Sequence, residues 1–93
     1  MQKSELSDHA VEQIIARGLD REQVVKTALE PDQVLNLVNQ SPVAQSRFKM
    51  NNKLYLLRVV FRDEKDTRLV ITAYIRSQVK KYWREEGSDE NTV

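Results

Sequence analysis

The sequence predicts an α+β domain in which two N-terminal helices pack on one face of a four-stranded, mostly antiparallel sheet, with a short helix at the C-terminus. The strongest observation is a pair of β-branched and aromatic runs, residues 54–62 and 67–75, on either side of a charged turn, as in a β-hairpin. The second is the order of the patterns, because helical periodicity comes first and strand periodicity follows. That order is typical of α+β folds.

Side-chain alternation predicts which face of the hairpin meets the core. Every second residue is apolar from Tyr55 to Phe61 in the first strand and from Leu69 to Ile75 in the second. Both apolar sets face the core only if the turn holds an odd number of residues, three or five, because strand side chains alternate with period two. The opposite face then collects polar and cationic side chains: Arg58, Arg62, Arg68, Thr72, Tyr74 and Arg76.

Capping and helix-breaking residues define the other elements. Either Ser7 or Asp8 caps a first helix that ends before Gly18. Asp20 caps a second helix, which Pro31 stops. The further predicted elements are strands at residues 34–38 and 44–50, a tight turn at residues 51–52 and a short final helix capped by Ser77.

A chain of 93 residues is long enough for one domain with a modest core. We expect residues 1–6 to be frayed, residues 7–84 to fold and residues 85–93 to form a disordered acidic tail. Without cysteine and with one histidine, the sequence offers no metal-ligand set, so no metal or cofactor is expected. There is no signal-peptide pattern and no membrane-length apolar run, which favours a cytoplasmic protein without a membrane partner.

Charge is unevenly distributed along the chain, although the net charge is only +1. Residues 1–45 hold four Lys/Arg and seven Asp/Glu, a balance of −3, and residues 46–84 hold eleven and three, a balance of +8. Residues 85–93 add four acidic side chains, a balance of −4. Clustered cations attract polyanions, so residues 46–84 favour a nucleic-acid partner; a merely solvated surface would carry the same residues.

Two stretches carry a resemblance to a known family: SDHAVEQIIARGLDREQVV with LEPDQV near the start, and LLRVVF with RLVITAYIRSQVKKYW near the end. They resemble a widespread family of small bacterial proteins, frequent in cyanobacteria, that is grouped with the RelE-like and BrnT-like toxins and with the barnase–EndoU–colicin–RelE ribonuclease fold. The resemblance implies a RelE/BrnT-like fold and a metal-independent ribonuclease toxin. It also implies a cognate antitoxin from a neighbouring gene, which we expect to be acidic.

The family pattern places a histidine at the start of the first helix and an arginine at its end, matched here by His9 and Arg17. It also places a threonine and an aromatic residue on the last strand, matched by Thr72 and Tyr74. RNA cleavage without a metal requires a proton acceptor, a proton donor and cations that stabilise the phosphorane. The candidate catalytic residues are His9, Arg58, Thr72 and Tyr74, and the candidate RNA phosphate-binding residues are Arg17, Arg62, Arg68, Arg76, Lys80 and Lys81.

Each candidate also has a purely structural explanation. His9 in a first helical turn is often just solvated, and Arg58 could pair with Glu30 or Asp32. Thr72 and Tyr74 are good strand formers in any sheet. The final helix has a basic and aromatic pattern that suits phosphates and stacked bases, although one of its rings would equally pin the helix to the sheet: Lys80, Lys81, Tyr82, Trp83 and Arg84.

Three functions therefore stay open. The first is a toxin that cleaves RNA, either free or on the ribosome. The second is a non-catalytic module that binds RNA or a protein through the same cationic face. The third is an antitoxin-like regulator that pairs through a sheet edge. The segregation of charge favours the first two over the third, and the collection of hydroxyl and guanidinium groups on one face favours the first.

Overall fold

Five strands form one mixed sheet in the computed structural model, which describes residues 2–83. In chain order the elements are β1 (Lys3–Leu6), α1 (Asp8–Arg17), α2 (Arg21–Leu29), β2 (Gln33–Leu35), β3 (Val43–Met50), β4 (Lys53–Glu64), β5 (Thr67–Arg76) and α3 (Val79–Tyr82). The strand order across the sheet is β1-β5-β4-β3-β2. The predicted α+β class is confirmed. The predicted acidic tail at residues 85–93 lies outside the described residues.

The two N-terminal helices begin and end where the capping residues predict. The side chain of Ser7 accepts a hydrogen bond from the Ala10 N–H at 3.0 Å, and that of Asp20 accepts one from the Glu22 N–H at 3.0 Å. The first helix ends at Gly18, whose φ of 66° lies in the left-handed region that favours glycine. The predicted first helix, residues 8–17, is thus confirmed.

The sheet contains a strand that the sequence pattern does not predict. Residues 3–6, expected to be frayed, form β1, which pairs in parallel with β5. The sheet is therefore five-stranded and mixed, where four mostly antiparallel strands were predicted. The reason is that KSEL is short and half charged, so it has no apolar periodicity of its own; its structure depends on the free edge of β5.

Beyond β1, side chains of α1 and its cap close the free edge of β5. The hydroxyl of Ser7 donates to the Ile71 carbonyl at 3.1 Å, and the Ser7 N–H donates to the Val70 carbonyl at 3.0 Å. At the other end of the helix, Arg17 Nη1 donates to the Ala73 carbonyl at 2.7 Å. These bonds satisfy backbone acceptors at the end of the β1 pairing and beyond it, and they hold Arg17 at the sheet edge.

A β-bulge changes the predicted relation between the hairpin faces. The two strands are joined by a two-residue turn, so the predicted turn of three or five residues is wrong. The register shifts where Val60 and Phe61 oppose Thr72 and Val70, which leaves Ile71 as an extra residue without a partner. The bulge offsets the even turn. Residues from Thr72 onward therefore keep their predicted faces, whereas the earlier residues of β5 exchange theirs.

The helix-side face holds the main core. Leu57, Val59 and Ala73 lie in it as predicted. Between the turn and the bulge, Val70 is the β5 residue that lies in the core. Leu69 and Ile71 were predicted to lie there, and this prediction is wrong because the residues of β5 before Thr72 exchange their faces. The buried cluster consists of Ala10, Ile14, Val24, Ala28, Ala44, Leu57, Val59, Phe61, Val70 and Ala73.

Arg68 lies on the helix side of the sheet, and its predicted position on the polar face is wrong. Its guanidinium carbon is 3.9 Å from the centroid of the Phe61 ring, and its Nη1 donates to the Ala28 carbonyl at 2.9 Å. Its Nε and Nη2 donate to the two carboxylate oxygens of Asp63 at 2.7 and 2.9 Å. Each of its nitrogens is thus engaged in holding α2 and the hairpin together.

We expect Arg68→Met to lower the free energy of unfolding by about 2 kcal/mol, because it removes charge-assisted hydrogen bonds and the donor to the Ala28 carbonyl. Arg62→Met is the matched control. Arg62 and its partner Glu64 are 59% and 52% exposed, and such a surface pair contributes less than about 1 kcal/mol. Urea denaturation measures both changes. Equal losses in the two variants would contradict the structural role of Arg68.

Stability should also depend on pH through Asp63. The hydrogen bonds from Arg68 lower the pKa of this carboxyl below its ordinary value of 3.8, aided by the charge of Arg68 and a hydrogen bond from Gln2, against a smaller opposing effect of burial. A pKa lowered by folding adds stability above the unfolded pKa and loses it as the pH falls through the folded pKa. The stability difference between wild type and Asp63→Asn should therefore shrink below about pH 3.8. Denaturation at neutral and acidic pH tests this, and a difference that stays constant would contradict it.

Candidate nucleic-acid interface

The sheet face opposite α1 and α2, here called the far face, carries the candidate site. Arg58 of β4 lies on it between two cross-strand neighbours, Tyr74 of β5 and Gln45 of β3. The predicted placement of Arg58, Thr72 and Tyr74 on one face is consistent with this register. The far face is not left fully open, because α3 lies over it and brings Tyr82 to Arg58.

Three arginines and two tyrosine rings form a cluster on the far face. The Arg58 guanidinium lies 5.8 Å from the Tyr74 centroid and 4.7 Å from the Tyr82 centroid. The Arg76 guanidinium lies 4.3 and 5.9 Å from the same two rings. Arg17 reaches the Tyr74 ring from the end of α1, at 6.0 Å. We call these five residues the Arg–Tyr cluster; ring faces attract the guanidinium groups and fix their positions.

The cluster is positively charged without local compensation. The two ion pairs in the described part of the chain belong to other arginines, so no carboxylate of residues 2–83 neutralises the cluster. Lys81 extends the charge at 5.5 Å from the Tyr82 ring, and Arg47 does so at 4.0 Å from the Trp83 ring. Cations concentrated in this way attract polyanions and raise their rate of association.

Arg58 and Gln45 are buried polar residues with unsatisfied atoms. Arg58 is 9% exposed, and its Nε has no hydrogen-bond partner. Among residues 2–83, no carboxylate forms an ion pair with Arg58, which was the structural alternative. Gln45 is fully buried, and its Oε1 is likewise unsatisfied. Each such group costs roughly 1–3 kcal/mol. Groups of this kind call for an explanation, and a functional role is a common one.

Sequence patterns did not point to Gln45. The only signal is an amide within the otherwise apolar start of β3, where Val43 and Ala44 precede it.

Ser77 was predicted to cap the final helix, and this prediction is wrong. The N-cap residue is Gln78, whose side chain makes no capping hydrogen bond. The helix is held instead by the hydrogen bond from Gln45 to the Tyr82 carbonyl and by the contact of the Tyr82 ring with Arg58.

The other predicted site residues are divided between the cluster and the rest of the surface. Thr72 lies on β5 opposite Val60, half-buried and two residues from the cluster. Lys80 is exposed on α3. Arg62 pairs with a glutamate in the same strand, and Arg68 is used on the helix side. The structure therefore brings neither Arg62 nor Arg68 to the cluster.

His9 is exposed in the first turn of α1, and its side chain makes no hydrogen bond or ion pair within residues 2–83. Helical spacing nevertheless relates it to the cluster. His9, Gln13 and Arg17 are four residues apart and form one row on the helix surface. Arg17 ends that row at the Tyr74 ring, whereas His9 begins it about 12 Å away along the helix axis.

The described residues show neither a metal site nor a membrane span. Among residues 2–83, no three His, Cys, Asp or Glu side chains are grouped so as to hold a metal ion. In the same part of the chain, no helix is long and apolar enough to cross a membrane.

Comparison with known proteins gives a family and no activity. No curated protein and no solved structure matches the chain. A family model described as a domain of unknown function, DUF4258, matches residues 6–75. The match includes Arg17, Arg58 and Tyr74 of the cluster, and Arg76 and Tyr82 lie just beyond it. Because residues 6–75 make up well over half of the 93-residue chain, the protein belongs to the family of unknown function DUF4258.

Proposed function

We propose that the protein is an RNA-cleaving toxin that binds its substrate on the far face of the sheet. The observation that carries this proposal is the Arg–Tyr cluster, in which three guanidinium groups surround two aromatic rings without a carboxylate from the described residues. Guanidinium groups suit phosphate oxygens, and arginine and aromatic planes suit unpaired bases. Single-stranded nucleic acid offers both, and the proposed cleavage, which uses a 2′-hydroxyl, makes RNA the substrate.

The proposed reaction needs no metal. The 2′-oxygen of RNA attacks the adjacent phosphorus, the bond from phosphorus to the 5′-oxygen breaks, and the products carry a 2′,3′-cyclic phosphate and a 5′-hydroxyl. His9 is the proposed acceptor of the 2′-hydroxyl proton, and Tyr74 is the proposed donor to the leaving oxygen. The cluster arginines stabilise the charge that develops on the phosphorane, and the Thr72 hydroxyl contacts the ribose.

One observation favours a second candidate, a non-catalytic module that binds RNA or a protein on the same face. His9 is exposed, and about 12 Å of α1 separates it from Arg17 of the Arg–Tyr cluster. A site without a nearby proton acceptor would bind RNA and leave it intact. Both candidates predict that an acidic partner protein, such as an antitoxin, would cover the far face by charge complementarity.

Expression without the neighbouring gene tests the toxin proposal. Induction of the chain in a bacterium should arrest growth, and the purified protein should cleave RNA in the presence of EDTA, because no metal takes part. The cleavage assay is run with and without ribosomes. A folded protein that leaves RNA intact in both cases and is harmless on induction rules out the toxin; RNA binding without cleavage supports the second candidate.

A further inference from the structure

We propose that the place occupied by Tyr82 on the far face is a binding site for one unpaired nucleobase of single-stranded RNA. This inference rests on the proposed function for its ligand class. Three observations define the place. Arg58 Nε and Gln45 Oε1 are buried and unsatisfied, the two residues are cross-strand neighbours, and the Tyr82 ring lies 4.7 Å from the Arg58 guanidinium.

The orientation of the Gln45 amide follows from its neighbours. Its Nε2 donates to the backbone carbonyl of Tyr82 at 3.1 Å and to Oε1 of Gln33 at 2.8 Å. A backbone carbonyl can only accept, so the nitrogen faces it and the oxygen is the unsatisfied atom. The place therefore presents an unused donor, from Arg58, and an unused acceptor, from its cross-strand neighbour Gln45.

This pair of groups selects among the parts of RNA. A phosphate carries acceptors, so it would satisfy Arg58 and leave Gln45 Oε1 facing another acceptor. A nucleobase edge carries donors and acceptors side by side and can satisfy both residues. A base is also flat, and bases stack on guanidinium planes. The Tyr82 ring already lies against the Arg58 guanidinium, with its centroid 4.7 Å from the guanidinium carbon. The cations at the rim of the place are then available to bind phosphates of the same RNA; they are Arg17, Arg76 and Lys81.

Entry of a base requires α3 to move, and the structure shows how weakly this helix is held. It has four residues, none of them buried, and a one-turn helix has little stability of its own. Among the described residues, the hydrogen bond that ties it to the sheet is the one from Gln45 to the Tyr82 carbonyl. When Tyr82 is displaced, the face of the Arg58 guanidinium and the Gln45 amide become available to the base. A base in a duplex cannot bind here, because its Watson–Crick edge is already hydrogen-bonded and both of its faces are already stacked on neighbouring bases.

Trp83 offers a direct readout, since it is the only tryptophan in the chain and follows α3. A 2′-O-methyl RNA of about ten nucleotides, which cannot be cleaved, is titrated as a single strand and as a duplex. Binding is measured by anisotropy and by Trp83 fluorescence. We expect the single strand to bind at least about tenfold more tightly than the duplex and to change the Trp83 emission. Inorganic phosphate should leave the emission unchanged.

Two variants examine the site itself. In the Tyr82→Ala background, where no ring competes for the place, Gln45→Leu should lose about tenfold in single-strand affinity, whereas the exposed control Gln40→Leu should not. Tyr82→Ala should bind the single strand more tightly, because no side chain then competes with the base; circular dichroism confirms the fold of each variant. Equal affinity for both RNA forms, a silent Trp83, or weaker binding by Tyr82→Ala overturns the base site alone. Failure of the wild type to bind either RNA contradicts the proposed function itself.

Discussion

RNA cleavage by His9→Ala is expected to fall by roughly a hundred- to ten-thousandfold, because the variant lacks the proposed general base. RNA affinity and stability should stay close to those of the wild type, since the His9 side chain is exposed and makes no hydrogen bond or ion pair within residues 2–83. Cleavage is measured as a single-turnover rate in EDTA. Affinity is measured on 2′-O-methyl RNA.

Glu12→Ala is the control for this prediction, because Glu12 is also exposed on α1 but lies outside the row formed by His9, Gln13 and Arg17. It should cleave at the wild-type rate. A wild-type rate in His9→Ala would remove the histidine from the mechanism. Equal loss of rate and affinity in His9→Ala would mean that the residue binds RNA and does not transfer protons.

The double variant Arg17→Gln/Arg76→Gln is expected to bind RNA roughly ten- to a hundredfold more weakly at low salt. The two arginines flank the Tyr74 ring, and each is proposed to replace a counterion on a phosphate. The slope of log affinity against log salt concentration should therefore decrease by about 2. Titrations of one RNA at several salt concentrations give both quantities.

Arg21→Gln/Arg62→Gln changes the net charge by the same amount and serves as the matched control. Both of its arginines are exposed and neither belongs to the Arg–Tyr cluster. Its affinity and salt slope should be close to those of the wild type. If the two double variants lose affinity equally, RNA senses only the overall charge, and the cluster has no special role.

Local chemistry made much of the fold predictable. Helix caps and breakers act within a few residues, so Ser7, Asp20 and Gly18 set the bounds of both N-terminal helices. The hairpin was predictable because β-branched residues and alternation persist over two long strands. The same alternation placed Arg58 and Tyr74 on the far face, from which a cationic site could be expected.

Non-local pairing explains what could not be predicted. The two-residue turn places Arg68 on the opposite face, and the bulge at Ile71, which has no sequence signal, restores the predicted faces beyond it. β1 exists because the edge of β5 is free, which depends on the whole topology. Gln45 gains its place in the site from the pairing of β3 with β4 beside Arg58 and from α3 above it. The site is thus assembled from elements far apart in sequence.

Photocrosslinking tests most directly whether RNA binds the far face. A single-stranded RNA that contains 4-thiouridine is bound to the wild-type protein and irradiated, and mass spectrometry identifies the crosslinked peptides. We predict crosslinks in β5 and at the end of α3, at Tyr74, Tyr82 and Trp83, and their loss at moderate salt. Crosslinks confined to α2 and the outer surface of α1, with none on the far face, would contradict the proposed RNA site.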